Sequence, residues 1–463
     1  MRSNGEVAFR SIAALSQAID AGTLDPRELA DLMFDRIAAL NPTLNLYLSL
    51  CRDTALAEVE AATDRTGRRC RRGPLDGIPI AVKDNIDVAG VPTSNGLGGT
   101  PWRVPCEDAE IVRRLRAAGA VVLGKLNMHE AALGGSTDNP HFGAAINPYR
   151  AGYSPGGSSG GSGAAVAAGL CVAALGTDTG GSVRIPASYC GVVGFKPSFG
   201  LVSTRGVVPL SWRLDHIGPL TRSVDDARLM FVALHGFDPR CPESRCDAVL
   251  GGDVATPLGG LRLGVWELAD EPADPAVATA FAAALGVFAE LGCAIRPVAL
   301  SGYDSLRARR AALLRIEADA AFIHADLYAR EPARFSPALR AGLDYGATVS
   351  TMRLVGADRV IAMAGSALAR VFDEVDAIVS PTTPQSAFPF AEGAPDNQNA
   401  YCVAANFAGA PAISVPMGHT RDGLPLGLQI IAACDHDLTA LRLADAYEAA
   451  CGLNLRPPPL YGP

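Results

Sequence analysis

Apolar positions along the chain fall into two periods that take turns. Leu29, Leu32, Met33, Ile37 and Leu40 recur on a helical spacing. Asp25, Pro26 and Glu28 stand before them as N-cap, first-turn proline and the acidic residue three after the cap. The pattern predicts a helix that stops at Asn41-Pro42. The continuous apolar run "IPIAV" (78–82), which ends at Lys83, reads as a strand. "DAEIVRRLRAAGA" carries the period of an amphipathic helix, and "VVLG" (121–124) that of a strand after it. Strand, helix and strand in that rhythm predict an α/β architecture.

"AAVAAGLCVAAL" reads as a fully buried helix passing into a strand. The chain from about 265 to 370, rich in Ala, Arg and Leu, reads as helical. "VDAIVSPTTP" (375–384) and "APAISVPMG" (410–418) read as buried strands ended by proline, and "LTALRLADAYEAA" as the last helix. No internal repeat or low-complexity linker divides the chain. One large domain over 1–463 is expected, opening with a helical segment over 1–75.

Composition narrows the function classes. With 49% hydrophobic and 19% charged residues, the chain can bury a sizeable core. A formal charge of −8 and the lack of a basic patch argue against nucleic acid or an anionic membrane as partner. The longest apolar run, 164–175, is too short to span a bilayer, and the start has no signal-peptide core, so a cytoplasmic protein is expected. Eleven cysteines without a C-x-x-C pair read as buried free thiols. Seven histidines without H-E-x-x-H imply no metal, and no cofactor is expected.

The chemistry concentrates where glycine does. Residues 151–200 hold 13 of the 49 glycines, six of them in "SPGGSSGGSGAAVAAG" (154–169). That tract could be a phosphate cradle, a flexible linker or a catalytic loop. A cradle would need G-x-x-x-x-G-K-[ST], which is absent, and a linker would not be flanked by apolar runs. Ser182 follows Gly180-Gly181, and two glycines before a serine let successive backbone N–H groups converge as in an oxyanion hole. A serine needs a base, and no G-x-S-x-G elbow is present. Lys83 ends an apolar strand, where burial would lower its pKa. Its plainer reading is a solvated charge or a partner of Asp84. His129 and His216 read as structural groups rather than bases.

"GIPIAVKDNIDV", "SPGGSSGGSGAAVAAG" and "LGTDTGGSVRIPASYCGVVGFKPSFGLVS" together resemble the amidase signature family of serine hydrolases. "GKLNMHE", "DNPHFGAAINP", "LDHIGPLTRSVDDA", "SPTTP" and "GLPLGLQII" extend the likeness over nearly the whole chain, least clearly over 230–370. The resemblance implies a central mixed β-sheet flanked by helices on both faces, with the signature core over 76–225. It implies a Ser–cis-Ser–Lys triad of Ser182, Ser158 and Lys83. The backbone N–H groups of Thr179, Gly180, Gly181 and Ser182 would receive the oxyanion, and Ser159, Asp178 and Arg184 would orient the loops, with Arg184 paired to Asp178. No cofactor is implied.

The family cleaves amides, and the same acyl chemistry serves esters and carbamates (urethanes). A free-standing amidase acting on a small uncharged amide or carbamate is the first expectation. The alternative is the amidase subunit of a glutamyl/aspartyl-tRNA amidotransferase complex, and a homodimer is also admitted. The variable helical segment 300–350 is expected to line the pocket. Met128, Leu133, Leu313, Leu314 and Phe407 are its candidate apolar lining.

Overall fold

The computed structural model describes residues 4–100, 103–246, 258–268, 270–452 and 458. Eleven strands form one mixed sheet: β1 (Tyr47–Leu50), β2 (Pro79–Lys83), β3 (Val121–Leu126), β4 (Ala173–Asp178), β5 (Val193–Lys196), β6 (His216–Thr221), β7 (Arg262–Trp266), β8 (Ala294–Val298), β9 (Ala377–Pro381), β10 (Ala412–His419) and β11 (Pro425–Ala432). Their order across the sheet is β1-β3-β2-β4-β6-β5-β10-β11-β9-β7-β8. Strand β2 runs parallel to both β3 and β4, whereas β4, β6, β5, β10, β11 and β9 pair antiparallel in succession. Helices cover both faces, so the central strands are buried on both sides. That explains why β2, β3 and β4 are continuous apolar runs rather than alternating ones.

The helix Gly160–Ala167 is buried at all eight positions. Glycine and alanine make that feasible: a Cβ on Gly161 would lie 2.3 Å from the Asn127 carbonyl oxygen, and one on Gly163 3.0 Å from Pro186. Above the sheet, helices Ser305–Arg330, Pro337–Thr348 and Thr351–Val371 pack on one another. From the first two, Ala320, Leu327, Leu339 and Leu343 join Leu97, Met128, Ala131 and Ala132 in a cluster separate from the main core.

The chain departs from the sequence expectation in four places. The helix predicted to stop at Asn41-Pro42 runs from Pro26 to Leu44 and ends on Asn45 at φ 53°. Asn41 closes that end itself: its Oδ1 accepts the N–H groups of Leu46 and Tyr47 at 2.8 and 2.7 Å. The stretch 265–370 is not all helix, because β7 reaches into it and β8 lies within it. Both are short, and β8 is half-exposed, so neither shows a clean apolar period. The segment 1–75 contains β1, an edge strand paired antiparallel to β3. Finally, Cys70, Cys106, Cys246 and Cys434 are exposed and Cys451 is half-buried, although all eleven cysteines are free thiols.

Candidate active site

Strand β2 carries Lys83 into the interior, where it is fully buried. Its Nζ lies 2.7 Å from Ser158 Oγ and 2.7 Å from Thr177 Oγ1. Asp84, the carboxylate next in sequence, pairs with Lys125 at 3.1 Å instead and accepts the Ser94 N–H at 3.0 Å. Burial lowers the Lys83 pKa to about 7, with the charge of Asp215, and then that of Asp178, pulling the other way. Three lysines are fully buried: Lys83, Lys125 and Lys196. Lys196 is also lowered to about 7 by burial, but it donates to the carbonyls of Ala410 and Pro197, which have no proton to give. Lys83 alone of the three meets a serine hydroxyl among the described residues.

Ser158 sits on the cis peptide bond Gly157–Ser158, just before the buried helix. Its carbonyl accepts the His129 N–H at 3.0 Å, and the Thr137 hydroxyl donates to Gly156 O at 2.7 Å. The loop admits no side chain at 157, where a Cβ would stand 2.8 Å from the Gly135 carbonyl carbon. Ser159 Oγ accepts the Thr177 N–H and donates to the Thr177 carbonyl, each at 3.2 Å, so it ties the loop to β4.

Ser182 lies in the turn from β4 to the helix Arg184–Cys190. It is partly exposed, and its hydroxyl bonds to no described residue. The turn is held by Asp178, which accepts the N–H groups of Gly181 at 2.8 Å and Val183 at 3.2 Å. Arg184 grips the same carboxylate with two bonds of 3.0 Å. It also donates to Asn406 Oδ1, Gln429 Oε1 and Cys402 O at 2.7, 2.7 and 2.9 Å. Burial opposes the Asp178 charge, yet the guanidinium and the Asn406 amide hold it well below the usual carboxylate range. Gly181 has φ +120°, and a Cβ there would lie 2.8 Å from Ile185 and 2.9 Å from Cys402. Because its N–H is bonded to Asp178, it serves the turn in this state. On the open side of Gly180 the Asn399 amide would lie 3.7 Å from an added Cβ.

The two histidines near the site are neutral. Burial, with the Lys83 charge beside it, takes His129 down to about 4, and burial takes His216 far below its ordinary value. A cavity of about 270 Å³ opens beside Thr177, the second partner of Lys83, and is lined by Asn85, Thr177, Val208, Trp212, Asp215 and His216 among others. Met128 and Leu133 are brought together with Ile316 of the long helix. Leu313 is 48% exposed, Leu314 is half-buried outside that cluster, and the Phe407 carbonyl packs against Gly365. Sequence reasoning assigned no role to Thr177, Asp215, Asn406 or Gln429. Thr177, Asp215 and Gln429 stand inside the motifs "LGTDTGGS", "LDHIGP" and "GLPLGLQII", where their neighbours drew attention instead.

The site thus sets a buried amine against one serine hydroxyl and a second serine on a glycine turn, in a mixed sheet flanked by helices. The chain belongs to the Amidase family, which it matches over residues 28–441. Among its relatives are the A subunits of glutamyl-tRNA(Gln) amidotransferases. That of Methylococcus capsulatus is 35% identical over 97% of this chain and 98% of that protein. That of Chloroflexus aggregans is 36% identical over 98% and 99%. The native peptide amidase of Stenotrophomonas maltophilia superposes with a TM-score of 0.83 at 32% identity, covering 97% of this chain and 98% of that one. A structure from a vestigial protein complex bearing on the origins of an s-triazine catabolic enzyme reaches 0.87 at 32% identity, over 96% and 99%. Among the described residues, no helix is long and apolar enough to cross a membrane.

Proposed function

We propose that the chain hydrolyses a carboxamide C–N bond through an acyl-enzyme on Ser182, with Ser158 and Lys83 as the proton relay. The observation that carries this reading is the buried Lys83 amine, near neutrality and 2.7 Å from Ser158 Oγ. Neutral Lys83 takes the Ser158 proton as Ser158 takes that of Ser182, and the Ser182 oxygen bonds to the substrate carbonyl carbon. The oxyanion faces the N–H groups of Thr179, Gly180 and Ser182, with Gly181 joining if its bond to Asp178 lengthens. The proton returns through Ser158 to the leaving nitrogen, the C–N bond breaks, and the amine departs. Water then gives its proton to the same relay, adds to the acyl carbon and releases the acid and free Ser182. Esters and carbamates can enter by the same acyl step.

Two settings share this chemistry. One is the free-standing amidase for small uncharged amides that the sequence puts first. The likeness to amidotransferase A subunits favours the other, in which the chain releases ammonia from an amide donor within a complex. The test is the purified chain with L-glutamine, a panel of amides, esters and carbamates, and a fluorophosphonate. Modification at Ser182 and amide turnover support the acyl-enzyme reading. Labelling at another residue, or unimpaired turnover by Ser182→Ala, overturns it. Glutaminase activity that needs partner subunits selects the complex, and fast turnover of another amide by the chain alone selects the free-standing enzyme.

A further inference from the structure

Behind the oxyanion turn lies a hydrogen-bond chain that the relay does not use. Asp215, one residue before β6, accepts the Thr179 hydroxyl at 2.6 Å on one oxygen. Its other oxygen accepts the N–H groups of Leu210 and Ser211 at 2.8 and 3.0 Å. The Ser211 hydroxyl donates to Asp319 at 2.7 Å, and Asp319 is held by Arg315 at 2.6 Å on the long helix Ser305–Arg330. Asp215 also lines the cavity that Thr177 and Asn85 share, and Thr177 is the second partner of Lys83. The first residue of the turn is thus anchored through its hydroxyl from the loop before β6, whereas Asp178, at the end of β4, holds Gly181 and Val183.

We infer that Asp215 is a positioning residue for the hydrolysis: through the Thr179 hydroxyl it aims the first oxyanion N–H, and its charge sets the pH at which the relay switches on. The inference rests on the reading given under "Proposed function". An anchored turn matters because a preorganised donor acts only if it points where the oxyanion forms. Both roles need a carboxylate. An asparagine can accept from Thr179 or from the two backbone amides, but its NH2 group opposes whichever donors it then faces.

The electrostatic role follows from the groups around it. Asp215 interacts through its charge with Lys83 on β2, which Asp178 on β4 also favours in its charged form, and neutral His216 on β6 lines the same cavity. Arg205, Arg240 and Glu243 line the same cavity, and Asp319 with Arg315 stand beyond Ser211. Burial pushes the Asp215 carboxyl up to about 6, with its hydrogen bonds and the Lys83 charge opposing, and the negative charge of Asp215 in turn favours protonated Lys83. Removing that negative charge removes a stabiliser of protonated Lys83 and lowers the Lys83 pKa further.

The experiment measures the rate of fluorophosphonate attachment to Ser182 from pH 5 to 9 in the full chain, which needs no knowledge of the natural substrate. Asp215→Asn is expected to label at least about 10-fold more slowly at its plateau, with the rising limb moved down by about half a unit or more. Thr179→Val, which loses the anchor but no charge, is expected to label as slowly with the midpoint unmoved. Thr179→Ser is expected to recover most of that loss. Wild-type plateau and midpoint in Asp215→Asn overturn the inference, as does a Thr179→Val variant that labels at the wild-type rate. If Asp215→Asn does not fold, the Thr179 pair decides the positioning role. Absence of Ser182 labelling in the wild type is distinct, and sinks the acyl-enzyme reading together with the inference.

Discussion

Changing Lys83 to arginine tests the relay most directly. An ordinary lysine with a pKa of 10.5 is neutral in about one molecule in 3,000 at pH 7, whereas Lys83, lowered to about 7, is neutral in about half. Burial therefore raises the fraction of competent base by about three orders of magnitude at neutral pH. Arginine stays protonated and cannot serve, so Lys83→Arg should lose at least about 10³-fold in kcat/KM. In the wild type, kcat/KM on a non-ionising amide should rise tenfold per pH unit below about 7 and level off above it. The same burial has a cost in stability. The unfolded chain binds a proton at this lysine up to pH 10.5 and the folded chain only up to about 7, so its contribution to stability becomes more favourable as pH rises through that window. The stability advantage of Lys83→Met over the wild type should therefore shrink between pH 7 and pH 10.5, by at most on the order of 5 kcal/mol for a shift of about 3.5 units. Stopped assays across pH 5–9 and urea melts of both proteins supply the measurements. Near-wild-type turnover by Lys83→Arg, a rising limb centred near pH 10, or greatest activity below about pH 5 would refute the neutral-lysine relay.

Three other outcomes are expected. Ser182→Ala should lose more than about 10³-fold in kcat while melting within a few degrees of the wild type, read by calorimetry beside the amide assay. Arg184→Ala strands the buried Asp178 carboxylate and should destabilise the fold by about 3–5 kcal/mol in denaturant melts; a change below about 1 kcal/mol would show that the pair is dispensable. Gly161→Ala drives a methyl group to 2.3 Å from the Asn127 carbonyl, so it should cost at least about 1–3 kcal/mol, and wild-type stability would mean the helix has room to shift.

What could be read along the chain was local. The run "IPIAV" announced an apolar strand, and the lysine closing it was a candidate base if burial made it neutral, beside the plainer reading of a solvated charge or a partner of Asp84. The glycines before Ser182 announced a turn in which successive backbone N–H groups can converge, and Asp178 stands six residues before Arg184, within reach of it around one turn. Capping residues and helical spacing marked the helix that opens at Pro26. Only the tertiary structure decided the partners. Lys83 meets Ser158 75 residues away and Thr177 94 away, and Arg184 closes on Asn406 and Gln429 across 222 and 245 residues. Strand β7 and the edge strand β8 also needed the fold, because strands of five residues, β8 half-exposed, carry too weak a period to stand out in an alanine-rich background. So did Asp215, whose motif gave no sign that its carboxylate reaches back to Thr179. Periodicity and turn chemistry act over a few residues and are written in order along the chain. A relay between strands depends on register and on which strand lies beside which, and those are settled only when the sheet closes its core.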